Sequence, residues 1–219
     1  MISCLYQWMR SEGIYRMVPD YYYLNGANEA GMGYREVNWS LPRLEQQIHT
    51  RQNIFDGTWE KTPSMGWMFV PLTEYHGGGE QATIEPLSRH WEHYQTMLLS
   101  NLGAGVQAVY RGHRLFDSDH VREGVTRSVQ WFKSNRNILE SDLIHTSSRR
   151  ADGTHPDWYF HANPKLKSKG LWIGFNPSNK AVEMDLLLNV YFTGLTDQIR
   201  VLPKGNQDKS AIYTLDRNH

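Results

Sequence analysis

Residues 87–103, LSRHWEHYQTMLLSNLG, decide the fold class. Their apolar members Leu87, Trp91, Tyr94, Leu98 and Leu102 step by four, three, four and four, the spacing of an amphipathic helix. Gly103 is the expected stop. Residues 105–110 are a short apolar run fit for a strand, and Val121, Val125, Val129 and Phe132 mark a second helix from Asp119 to about Leu139. Upstream, residues 65–72 read as a strand buried on both faces. Tyr75-His76-Gly77-Gly78-Gly79 breaks that run. The unit is therefore strand, then helix, then strand, then helix.

Working outward to the N-terminal side, the same alternation continues. Residues 14–24 read as a strand leading into a turn at Asn25-Gly26-Ala27-Asn28, and residues 33–39 as a second short strand. Ser40 is placed to cap a helix from Leu41, with Pro42 tolerated in its first turn and Leu44, Ile48 and Phe55 on one side. About three strand–helix units favour an α/β fold with a parallel sheet and helices outside. A complete (β/α)8 TIM barrel needs about 250 residues, so 219 residues that also hold a second region fit the C-terminal part of one. Leu5, Trp8 and Met9 already stand at helical spacing after Met1. That pattern leads us to expect a C-terminal piece of a longer protein. A doubly wound sheet competes, but no Gly-rich dinucleotide loop accompanies it.

Composition shifts near residue 140. Thirteen of the fifteen Arg precede residue 151 and six of the eight Lys follow it. The tail alternates short apolar runs with turns: residues 158–161, then Asn163-Pro164, 170–175, then Asn176-Pro177, 182–191 and 212–215. This spacing predicts an antiparallel, β-sandwich-like domain. We place the boundary at about Ser141, giving barrel residues 1–140 and a β-domain at 141–219.

Composition excludes several classes. With 39% hydrophobic and 21% charged residues the chain can bury a core. Lys+Arg and Asp+Glu are both 23, which argues against nucleic acid and against a polybasic membrane contact. The longest apolar stretch, near residues 66–72, is too short to span a bilayer. Cys4 is the only cysteine, so no internal disulfide forms and the compartment stays open. No signal-peptide pattern is present. Eight Trp and twelve Tyr suit packing first and sugar stacking second.

In a parallel barrel, active groups sit at the carboxyl ends of the strands. Those ends carry Asp20 to Asn25, Arg35 with Glu36 and Trp39, Glu74-Tyr75-His76, and Arg111 through Asp117. Carboxylates, aromatics, arginines and a histidine together match carbohydrate recognition and acid–base work. The bland alternatives stand beside this. Glu36 and Arg35 make a plausible ion pair, and Asp20, Asn25 and Asn28 are ordinary turn residues. Tyr75, Trp39 and Trp67 fit a core. His76 fits a loop hydrogen bond, and Arg111 fits either a substrate clamp or a pair with Asp117. His90 and His93 stand three apart, as metal ligands do, without a third ligand at metal spacing. Asn38-Trp39-Ser40 is a sequon of a kind common by chance, and no Gly-x-Ser-x-Gly elbow is present.

The motifs also carry a resemblance. Residues 32–43, MGYREVNWSLPR, continued by Gln46-Gln47, resemble the sixth-strand region of the α-galactosidase-like glycoside hydrolases (clan D, family 36 and relatives). There a catalytic Asp is followed by an Arg seven residues on and a Gln four later. The matching positions are Glu36, Arg43 and Gln47. Residues 63–70, PSMGWMFV, resemble the seventh-strand segment, and 129–139, VQWFKSNRNIL, the last barrel helix before a C-terminal β-domain. The strings VPDYYYLNG at 18–26 and PLTEYHGGG at 71–79 are similar to those of a bacterial branch of that group. The resemblance covers nearly the whole chain.

It implies retaining O-glycosidase chemistry, with Glu36 as acid/base and Asp20, Asn25, Arg35, Trp39, Tyr75, His76 and Arg111 around a carbohydrate substrate. No metal and no cofactor are implied, and no membrane or nucleic-acid partner. Two departures qualify it. Glu36 replaces an Asp and reaches about one methylene further. The family's nucleophile, an Asp on the fourth strand, would precede Met1, so weak or no turnover is expected from these residues alone. A non-catalytic carbohydrate-binding or structural remnant is the alternative reading. A metal-dependent hydrolase using His76, His90 and His93 is the third.

Overall fold

The computed structural model describes residues 42–43, 45, 48, 51–52, 79–81, 84–105, 114–144, 151–186, 188–204 and 209–215. The strands expected at 14–24, 33–39 and 65–72 lie outside the described residues, as does 106–110. In the helix expected after Ser40, Arg43, Glu45, Ile48, Arg51 and Gln52 are helical.

Helix α1 spans Trp91–Gly103 and helix α2 spans Asp119–Leu139. Tyr94, Met97 and Leu98 of α1 pack on Val121 and Val125 of α2, with Ile84 and Leu87 beneath and Trp91 and Val129 at the margin. The apolar step from Leu87 to Trp91 is not helical. Arg89 and His90 donate their backbone N–H to Pro86 O, closing a turn that holds Leu87 in the core from outside the helix. The helix ends at Gly103, the expected stop, and two residues on Gly105 has φ 77°, a left-handed backbone that a side chain would strain. The second helix has the bounds its spacing predicts, because Ser118 caps it. Its Oγ accepts from Val121 N at 3.3 Å.

The two helices run in the same direction. Trp91, opening α1, meets the His120 ring at 5.8 Å and packs against Gly124 in the first turns of α2. At the other end, Gly103 O and Ser141 O both face the ring of His161, at 2.6 Å and 3.4 Å.

After α2 the strands are antiparallel. β1 (Asp142–Ile144), β2 (Asp157–Ala162) and β3 (Gly170–Phe175) form a sheet in that order. Phe160 pairs with Ile144 on one side and Trp172 on the other. Period two sends Asp157, Tyr159, His161, Ile173 and Phe175 to the face that meets the helices. There Ile173 and Phe175 lie over Gly103, and Arg51 reaches Asp157. Asn163 organises the turn between β2 and β3, its N–H donating to Lys169 O and its Oδ1 accepting from Lys165 N.

β4 (Gln198–Val201) and β5 (Ala211–Thr214) make a separate antiparallel pair, with Ile212 and Tyr213 exposed. The apolar run at 182–191 is not a strand at its described positions. Val182 and Met184 are exposed there, and the run ends in a 3-10 turn, Tyr191–Thr193. Glu183, Asp185 and Asn189 interrupt its pattern, and Asn189 Oδ1 accepts from Tyr191 N to start the turn.

Candidate functional site

Asp20, Asn25, Arg35, Glu36, Trp39, Tyr75, His76 and Arg111 lie outside the described residues, and so does Gln47. Arg43, His90, His93 and Asp117 are described. They fall together, in the segments that precede and open the helices.

Three ties join these segments. Arg43 Nη1 donates to the carbonyl of Glu80, directly after the Gly77-Gly78-Gly79 run. Arg114, before α2, makes a two-pronged pair with Glu85, the shorter distance being 2.8 Å, and the Glu85 carboxylate is buried. Ser88 N and Oγ both donate to Asp117 Oδ2, at 2.9 and 3.0 Å. Burial works to raise the Asp117 pKa. The two Ser88 bonds and the charge of Arg114 outweigh it and hold the carboxyl below its ordinary range. Tyr94, fully buried, adds a fourth tie from its OH to Leu115 O. Segments that lead into the helices are thereby held side by side.

A cleft of about 380 Å³ opens at this edge, lined by Ser88, Arg89, His90, Trp91, Glu92, His93 and His120. His90 is the residue before α1 and its side chain caps nothing. His93 lies one turn on, and His120 comes from the first turn of α2. Burial lowers the pKa of both His90 and His93, and the charge of Arg43 lowers both further. Arg89 adds to this at His90, whereas Glu80 opposes it there and Glu92 opposes it at His93. Both imidazoles are therefore neutral at neutral pH and offer nitrogen lone pairs, while Arg43 and Arg89 supply permanent positive charge. Trp91 is mostly packing. It stands edge-on to Tyr94 and His120 and presses on Gly124.

Among the described residues no group of three His, Cys, Asp or Glu is arranged to hold a metal ion. His76, the third member of the expected metal set, lies outside them. No described helix is long and apolar enough to cross a membrane.

The sequence reading passed over Ser88, Arg89, Glu80 and His120. His120 carried one legible signal, its place two residues after a helix-capping serine. The others follow only from the turn at Pro86, which places Ser88 opposite Asp117.

No family model, curated protein or solved structure matches this chain.

Proposed function

We propose that this chain is part of a retaining glycoside hydrolase of the α-galactosidase-like type, with Glu36 as the acid/base. Glu36 protonates the departing glycosidic oxygen while a second carboxylate attacks the anomeric carbon. Arg43, one residue of the Glu36–Arg43–Gln47 pattern, binds the Glu80 carbonyl and lies near enough to His90 and His93 for its charge to act on both, and it carries this reading furthest. Its tie to Glu80 draws together the segments that follow two of the expected strands. The parallel course of α1 and α2 also suits strand–helix repetition.

The test is Glu36→Gln in an enzyme that supplies both carboxylates. Hydrolysis of unactivated glycosides should fall about 10²–10⁴-fold, and aryl glycosides with good leaving groups should lose less. Unchanged activity on unactivated substrates removes Glu36 from the mechanism. The second reading, a non-catalytic carbohydrate-binding protein, predicts saturable sugar binding with no release of aryl alcohol by either form.

A further inference from the structure

We propose that the β2–β3 hairpin is a binding surface for an acidic polysaccharide, with Lys165, Lys167 and Lys169 at its turn and Trp172 on its open face. The choice of a saccharide rests on the glycosidase reading. Charge is the first observation. Lys+Arg and Asp+Glu are both 23 over the chain, yet residues 158–182 hold four lysines and no aspartate or glutamate. Lys165, Lys167 and Lys180 are exposed, and among the described residues none of them stands in an ion pair. Lys169 Nζ donates to Pro164 O, a neutral partner. Of the strand residues on the face turned away from the helices, only Asp142 is a carboxylate. It stands on β1, two strands and about 10 Å from β3.

Shape is the second. Phe160 and Ala162 are buried, so the open part of that face is its β3 edge, where Gly170, Trp172 and Gly174 are exposed. Trp172 is 39% exposed, and its six-membered ring lies over Gly174, where any side chain would displace it. Trp158 stands beside it, the ring centres 6.5 Å apart. Lys169 precedes Trp172 by three residues, about 10 Å of strand. At the turn itself Gly194 packs on Pro164, which brings the exposed pair Tyr191 and Phe192 close to the lysines. Aromatic surface therefore lies both along β3 and beside the turn, an extent that suits a chain of sugars more than a single ring. In an acidic polysaccharide each charged ring carries one anionic group and also an apolar C–H face. The lysines attract the first and the aromatic rings stack on the second.

The experiment measures binding of alginate, galactomannan, poly(dT) and phosphatidylserine vesicles to the whole 219-residue chain, by calorimetry and tryptophan fluorescence, at low and at physiological salt. Alginate should bind at least about tenfold tighter than neutral galactomannan, and salt should weaken the binding of alginate alone of the two. Lys165→Gln with Lys167→Gln should weaken alginate binding about tenfold at low salt and flatten its salt dependence. Trp172→Ala should weaken it about tenfold at either salt. All three side chains are exposed, so these variants should keep the parent's Tm. Equal affinity for alginate and galactomannan overturns the proposal. Poly(dT) or vesicles bound as tightly as alginate also overturn it, since the hairpin would then serve a nucleic acid or a membrane surface. So does alginate binding that survives every variant, or no binding at all. None of these results touches the glycosidase reading, which stands or falls on Glu36→Gln.

Discussion

Arg51 Nε donates to Asp157 Oδ1 at 2.7 Å, and both side chains are buried, although 106 positions separate them. The bond ties a helical residue of the N-terminal half to the first residue of β2. The Arg51 guanidinium also lies 5.0 Å from the Phe175 ring centre. Burial pushes the Asp157 carboxyl upward, against the pull of Arg51. Arg51 Nη1, Asp157 Oδ2 and Tyr159 OH are buried nearby without hydrogen-bond partners among the described residues. The pair is thus costly to make and more costly to break.

Removing one partner strands the other. Arg51→Met or Asp157→Asn alone should lower stability by about 3–5 kcal/mol, whereas Arg51→Met with Asp157→Leu should recover most of that loss. Urea denaturation of the three variants decides it. Single variants as stable as the double would mean that the pair contributes nothing specific.

His161 joins both helix ends to β2 through Gly103 O and Ser141 O. It is fully buried, and burial lowers its pKa below the ordinary 6.5, against the two carbonyl contacts. Below pH 6.5 the unfolded chain takes up a proton more readily than the folded one, so stability falls as pH drops. His161→Gln keeps an N–H for Gly103 O and cannot titrate. Its stability should therefore fall less between pH 7 and pH 5 than that of the unaltered protein. Thermal unfolding across that range is the measurement, and parallel curves would remove His161 as the cause.

Gly124 faces the Trp91 indole at a distance that leaves no room for a Cβ. Gly124→Ala gains about 1 kcal/mol of helix propensity and costs about 1–3 kcal/mol in overpacking. The expected net effect is a lower Tm. Pairing it with Trp91→Leu should remove the clash, so the alanine should be neutral or favourable in that background. A higher Tm for the single variant would show that the indole yields freely.

Ser118 closes the first turn of α2. Ser118→Ala should cost about 0.5–2 kcal/mol, and Ser118→Asp should cost much less, since aspartate caps equally well and suits the helix dipole. Chemical denaturation of both separates the cap from a general surface effect.

The helices were legible because their signals are local. The stripe Val121, Val125, Val129 and Phe132 needs only helical period, and the described part of that helix has the bounds the pattern predicts. Asn163-Pro164 and the apolar runs on either side likewise marked β2, its turn and β3. Leu87 misled because burial alone resembles helical period when a turn delivers the side chain to the same core. Residues 182–191 misled because apolar composition does not supply a strand partner. β4 escaped notice because Gln198 and Arg200 dilute its pattern. Of the candidate site, His90 and His93 were visible as residues, but their meeting with His120 in one cleft was not.

Sequence alone determined where α2 and the β2–β3 hairpin form, since hydrophobic period, caps and turn residues act over a few positions of chain. It also set the chemistry on offer, a neutral overall balance with arginines and histidines near the helix starts. Tertiary structure alone decided that Arg51 would answer Asp157, that His161 would receive two helix ends, and that Arg89, His90, His93 and His120 would share one cleft. Those pairings join side chains distant in sequence, and their strength comes from burial, which exists only once the chain has closed on itself.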